Sequence, residues 1–153
     1  MSRILFVCLG NICRSPTAEA VFAQRAWVAG LKVEVDSCGT SGWHQGKPPY
    51  PPAIAAAAKR GYDLTALRAR QISPADFHDF THILVMDRRN LADVQALCPK
   101  GGTAPQLFMA HAPAFDDEVP DPWYTGEFDK VLDMIEAASD GLIAELVSLR
   151  GRA

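Results

Sequence analysis

What is scarce in this chain removes several classes of function at once. Nowhere in its 153 residues does an apolar run approach the roughly 20 needed to cross a bilayer. The opening Met-Ser-Arg-Ile-Leu-Phe-Val is too short for a secretory leader, and no small-residue cleavage site follows it, so a cytoplasmic protein is expected. Positive charge is not in excess: 15 Lys and Arg stand against 18 Asp and Glu, a net charge of −3 that argues against a general nucleic-acid binder. Cysteines number four (Cys8, Cys13, Cys38, Cys98) and form no C-x-x-C pair. The histidines, His44, His78, His82 and His111, have no ligand-like spacing either, so no metal site is expected. In a reducing compartment, such cysteines are buried apolar residues or nucleophiles rather than structural disulfides.

What remains is the composition of an average soluble globule, 48% hydrophobic and 22% charged, with length for one domain over residues 1–153. Residues 3–7 read as a strand. A helix is signalled next: Ser15 can cap it, Pro16 suits its first position and Glu19 favours the positive end of its dipole. Ala18, Val21, Phe22, Ala26 and Ala29 then recur at helical spacing until Gly30. Residues 32–37 read as a second strand, followed by a Gly/Pro-rich loop over 39–52 and a helix over 54–60.

Further on, "HILVM" at 82–86 is the continuous apolar run of a central parallel strand, with Asp87 at its carboxyl end. A helix over 90–97, a fourth strand over 106–109 and an acidic, proline-rich loop over 111–124 follow. A last helix is marked by Phe128, Val131, Leu132, Ile135, Ala138, Leu142, Leu146 and Leu149, with Gly141, which costs about 1 kcal/mol against alanine, leaving room for a break inside it. Strands alternating with helices predict an α/β fold, a four-stranded parallel sheet with helices on both faces. Ligands of such sheets bind beyond the strand carboxyl ends, where Cys8, Asp87 and the loop after the second strand fall.

The stretch "CLGNICRSP" at 8–16 therefore lies between a strand end and a helix start. Successive N–H groups there can curl around one anion of phosphate size, helped by the helix dipole. Gly10 would allow a conformation closed to other residues, and Asn11 tolerates a left-handed turn. The donors that hold an anion also stabilise a thiolate at Cys8, since cysteines at helix N-termini ionise at roughly 3.5–7.5 instead of near 8.5. Arg14 offers a planar fork for two phosphoryl oxygens, and Ser15 a hydroxyl for the sulfur. A nucleophile aimed at phosphorus needs an acid on the far side for the leaving oxygen. "VPDPWY" supplies Asp121, held between Pro120 and Pro122, with Trp123 and Tyr124 as walls for a flat leaving group.

Taken together, these motifs resemble the low-molecular-weight protein tyrosine phosphatases. The resemblance extends through "DSCGTSGWHQGKPP", "RARQI" and "ILVMDRRNL", over nearly the whole chain. It implies the Rossmann-like phosphotyrosine protein phosphatase I fold and no cofactor. It also implies a phosphocysteine on Cys8, a transition-state clamp in Arg14 and an acid, then base, in Asp121. Phosphate would bind to residues Leu9, Gly10, Asn11, Ile12, Cys13, Arg14 and Ser15. Leu9, Ile12, Trp43, Trp123 and Tyr124 would line the phosphotyrosine cleft. The implied partners are a phosphotyrosine protein, such as a tyrosine kinase, and inorganic phosphate or a similar oxyanion, with the chain a monomer or weak dimer.

Three positions depart from the family pattern: Leu67 replaces a histidine, Cys38 an alanine and Tyr50 an aspartate. With Leu67, the rigidity of the phosphate loop must come from elsewhere. Cys13 is either a packed loop residue or the partner of oxidised Cys8 in a protective disulfide. Asp87 is open between supporting the acid loop and capping the next helix. Three rival functions remain beside phosphotyrosine hydrolysis. An arsenate reductase would need a closely spaced relay pair, and only Cys98 lies in that region. A protein-arginine phosphatase would favour threonine at the position of Ile12. A non-catalytic phosphotyrosine-binding module could dispense with Cys8 or Asp121.

Overall fold

All four strands, β1 (Ser2–Cys8), β2 (Val33–Gly39), β3 (His82–Val85) and β4 (Pro105–Leu107), run parallel in the order β2-β1-β3-β4, and the alternation of strands and helices follows from the way each strand is buried. A computed structural model describes residues 1–150; residues 151–153, the end of the expected 1–153 unit, lie outside the described residues. Strand β1 (Ser2–Cys8) occupies an interior position, and its residues Ile4, Leu5, Phe6 and Val7 are all fully buried. Period-two alternation sends Ile4, Phe6 and Cys8 to one face and Leu5 and Val7 to the other. Each face then needs its own cover, which is why the strand reads as an unbroken apolar run.

Helices α1 (Arg14–Val28) and α6 (Phe128–Arg150) supply one cover. There Phe6 meets Phe22 and Phe108 edge-on, with ring centroids 5.7 and 4.9 Å apart. The short helix α2 (Pro51–Ala58) adds Ala53 and Ala57 to this side. The other face is closed by α3 (Asp76–Asp79), through Phe77, and by α4 (Arg88–Leu97), through Val94. Strands β2 (Val33–Gly39), β3 (His82–Val85) and β4 (Pro105–Leu107) complete the sheet.

Several local expectations are corrected. Helix α1 starts at Arg14 with Cys13 as its N-cap and no capping side chain, so Ser15 and Pro16 lie within its first turn. Ser15 is drawn inward by partners in the phosphate loop instead of capping. Glu19 sits beyond the first turn and accepts a hydrogen bond from Ser37 Oγ at 2.7 Å rather than serving the dipole. Ala29 lies past the end of α1, and Ala29 and Leu149 are exposed. The fourth strand stops at Leu107 and passes into a 3-10 turn over Phe108–His111, because Phe108 and Met109 both turn into the core.

That turn explains why α6 is unbroken over its 23 residues. A Cβ at Gly141 would lie 1.9 Å from the carbonyl oxygen of His111, so glycine admits the close passage of the 3-10 turn over the helix. Its lower helix propensity, about 1 kcal/mol, is outweighed by packing. The acidic loop also holds a helical turn, α5 (Pro122–Thr125), capped by Asp121, whose carboxylate accepts from Trp123 N–H at 3.1 Å.

Candidate active site

At the carboxyl end of β1 the chain turns back on itself before α1 begins. Asn11 takes the left-handed conformation, φ 56°, as expected for a residue of its type. Gly10 does not; it is glycine for reasons of space, since a Cβ there would come 3.1 Å from the ring of His44. Gly39 at the end of β2 is tighter still, a Cβ meeting the carbonyl oxygen of Leu9 at 2.7 Å. The turn brings the Asn11 N–H to 3.3 Å from Cys8 Sγ. N–H groups in the first turn of α1 have no acceptor within the helix and face the same side.

A buried polar chain fixes the shape of the loop from behind. Asn11 Oδ1 accepts from the Arg70 N–H at 3.0 Å, which leaves its Nδ2 to donate to Ser15 Oγ (2.7 Å) and Ser37 Oγ (3.0 Å). Ser37 must then use its own proton on Glu19 Oε1. Ser15, already accepting from Asn11, has its proton free for Cys8 Sγ at 3.0 Å, with Cys38 O a longer alternative at 3.4 Å. Asn11, Ser15 and Ser37 are 2%, 0% and 4% exposed, so these bonds are made away from water. Leu67 packs against the apolar core, and the loop takes its rigidity from this chain instead.

Two carboxylates and a backbone carbonyl converge on Arg14, itself 3% exposed. Its NH1 donates to Asp87 Oδ2 at 2.6 Å and to Val119 O at 3.0 Å, and its NH2 lies 3.7 Å from Asp121 Oδ2. Burial works against the charge, but Cys8, Asp87 and Asp121 outweigh it and the guanidinium holds its proton more firmly than usual. Of the two alternatives for Asp87 the cap is the one formed, Oδ1 accepting the Asn90 N–H of α4 at 2.7 Å, while Oδ2 holds Arg14 of the phosphate loop rather than the acid loop.

The cleft above these groups is lined by Cys8, Leu9, Gly10, Ile12, Cys13 and Arg14 from one side and by Trp43, Asp121, Trp123 and Tyr124 from the other. The structure thus brings together the expected nucleophile, clamp, acid and walls; of the expected phosphate-loop residues, Asn11 and Ser15 stand behind the cleft as supports. Trp43 and Tyr124 are 73% and 80% exposed, an open rim. Tyr50 braces that rim: its N–H donates to Ile12 O at 2.8 Å, and its ring centroid lies 4.5 Å from that of Trp123. Cys8 and Cys13 are free thiols. Burial first, then the nearby Cys8 and Asp121, pushes the Cys13 thiol up to about 12, which slows the thiolate attack that a Cys8–Cys13 disulfide requires.

Sequence reasoning missed His44, which lines the cleft and holds Gly10 close, and the pair Ser37 and Glu19. Ser37 had a readable signal: it is a polar residue in register with Phe6 on the apolar face of a strand, where a hydroxyl needs a partner. Burial pushes the Glu19 carboxyl up to about 7, against the pull of the Ser37 hydrogen bond. Among the described residues, no group of His, Cys, Asp and Glu is arranged to hold a metal, and no helix is long and apolar enough to cross a membrane.

Comparison with known proteins points the same way as the geometry. The family model described as low molecular weight phosphotyrosine protein phosphatase matches residues 3–150. A low molecular weight protein-tyrosine-phosphatase of Streptomyces coelicolor is 42% identical, covering 99% of this chain and 98% of that protein. Among solved structures, a protein tyrosine phosphatase from Entamoeba histolytica with Hepes in its active site superposes with a TM-score of 0.93, at 33% identity over 98% of this chain and 99% of that one. YfkJ from Bacillus subtilis gives 0.91 at 37% identity, covering 97% and 96% of the two chains.

Proposed function

The chain belongs to the low molecular weight phosphotyrosine protein phosphatases and is a cysteine-dependent protein-tyrosine phosphatase; on that premise we propose how its own residues divide the reaction. Cys8 Sγ attacks the phosphorus of a phosphotyrosine held by the N–H groups of residues 9–15, and the P–O bond to the tyrosine breaks. Arg14 spans two equatorial oxygens and gains most where charge spreads over them in the transition state. Asp121, facing the sulfur across the cleft, gives its proton to the departing phenolate. It then takes one from the water that hydrolyses the phosphocysteine, releasing inorganic phosphate. Ser15 stabilises the thiolate both as nucleophile and as leaving group.

The observation that carries this reading is the convergence of Cys8, Arg14 and Asp121 on one cleft whose phosphate-facing side is an N–H-lined turn. Aromatic walls from Trp43, Trp123 and Tyr124, with Ile12 also lining the cleft, suit an aryl ester on a protein, such as a tyrosine kinase. Free thiols at all four cysteines accord with a cytoplasmic location. The test is hydrolysis of phosphotyrosine, phosphoserine and phosphoarginine peptides by the wild type, Cys8→Ser and Asp121→Asn. Phosphotyrosine is expected to be preferred. Turnover should vanish in Cys8→Ser and fall by about 10²–10³ in Asp121→Asn, within the range of general acid catalysis. Activity surviving in Cys8→Ser would sink the mechanism, and preference for phosphoarginine would sink the substrate.

A further inference from the structure

The acid loop reaches Asp121 from the 3-10 turn after β4, and much of it is exposed. Val119, 1% exposed, anchors it just before the acid, its N–H donating to Met86 O at 2.8 Å and its carbonyl accepting from Arg14, and Pro122 is buried just after the acid. Anchors at 119 and 122 hold the span around the acid but leave free the direction from which the exposed residues 113–118 enter it. Two further contacts remove that freedom, and both are made to the first residue of α4. Glu118 Oε2 accepts the backbone N–H of Arg88 at 2.9 Å, an otherwise unpaired donor of the helix start. From the opposite direction the Arg88 guanidinium grips the Asp117 carboxylate through both of its terminal nitrogens, NH1 at 3.2 Å from Oδ1.

We infer that Glu118, with Arg88, positions the general acid: the two latch residues 117–118 onto the N-terminus of α4 and so set the line along which Pro120 carries Asp121 over the cleft. This helix start is also where Asp87 caps α4 and holds Arg14, so one rigid turn references both the clamp and the acid. The two prolines flanking Asp121 transmit the setting, because neither permits much rotation about its own φ. Neither Glu118 nor Arg88 touches the cleft. Their effect on the reaction passes through the placement of Asp121, and the inference therefore rests on Asp121 being the acid.

The prediction concerns which substrates suffer. An acid that is displaced by a fraction of an ångström matters most when the leaving phenolate is basic, as tyrosine is with a pKa near 10. For Glu118→Ala, kcat/KM on a phosphotyrosine peptide is expected to fall about tenfold, a part of the 10²–10⁴ that general acid catalysis supplies. On p-nitrophenyl phosphate, whose leaving group needs little protonation, the same variant should stay within about twofold of the wild type. Arg88→Ala, which keeps the backbone N–H, should show the same bias more weakly. Glu118→Gln, which keeps an acceptor oxygen for that N–H, should restore most of the peptide activity. In Asp121→Asn, adding Glu118→Ala should cost nothing more, since there is no acid left to misplace.

Equal losses on the two substrates, no loss in Glu118→Ala, or additive losses in the double variant would each overturn the latch. If instead Asp121→Asn itself shows no bias between the substrates, the assignment of the acid fails and the latch with it, a result distinguishable from failure of the latch alone. Thermal unfolding of each variant separates a fold defect from a change in placement.

Discussion

The phosphate loop keeps its shape from within, through Asn11, Ser15 and Ser37 hydrogen-bonded to one another where water does not reach. The acid loop is held from outside, by the buried Val119 and by Asp117 and Glu118, whose side chains are 49% and 45% exposed. Both loops contribute to the same cleft and both touch Arg14. Their chemical duties explain the contrast. A phosphate cradle works best when its donors are fixed before the substrate arrives, so that no reorganisation is needed as charge develops. An acid must admit a bulky aryl group and release its product, which a loop latched by exposed ion pairs permits, since such pairs are individually weak.

Arg14 is where the contrast is most exposed to attack, because it belongs to the phosphate loop and is bonded to the acid loop. Arg14→Lys keeps the charge but cannot span two phosphoryl oxygens while also holding Asp87 and Val119, and kcat is expected to fall by about 10²–10³. Steady-state kinetics with a phosphotyrosine peptide checks this; a loss confined to KM would mean that Arg14 binds the ground state and transition state equally.

Asn11→Ala attacks the inner scaffold alone. It removes an acceptor for Arg70 N–H and donors to Ser15 and Ser37, and asks alanine to adopt φ 56°. A stability loss of about 2–4 kcal/mol is expected in denaturant titration, from buried hydrogen bonds worth about 1 kcal/mol each and the left-handed backbone. If stability is unchanged while activity falls, the polar chain orients the loop without stabilising it.

Glu19 gives the smallest effect and the sharpest signature. Its folded-state carboxyl is raised from 4.5 to about 7, so between those values the native state holds a proton that the unfolded chain has lost. That contribution to stability is complete below about 4.5 and is lost as pH rises through about 7. Glu19→Gln cannot titrate, and its melting temperature should lack the decline across that window that the wild type shows. Parallel curves for the two proteins would place the titration elsewhere.

How much of this was readable in advance differs between the loops in the same way. The phosphate loop is contiguous, so its spacing from Cys8 to Arg14, with a strand before and a helix after, already implied an anion cradle. Even there Gly10 was misread, because its reason is the neighbouring His44 from a loop more than thirty residues away in the chain. Ser15 was misread as a cap because its partners, Asn11 and Cys8, come together only once the turn has closed. Gly141 looked like a weak point in a helix and is instead where His111 passes closest.

By itself, then, the sequence determined the order of the four strands and the longer helices and the presence of a sulfur, a guanidinium and a proline-flanked acid, since these depend on local pattern and residue chemistry. Only the tertiary structure decided that Asp87 holds Arg14, that Glu19 closes the chain behind the nucleophile, and that Arg88 tethers the acid loop. Each of those contacts joins segments distant in the chain, and the bonding capacity of a carboxylate or guanidinium does not say which distant partner will take it. That choice is made when the sheet brings the carboxyl ends of its strands to one edge.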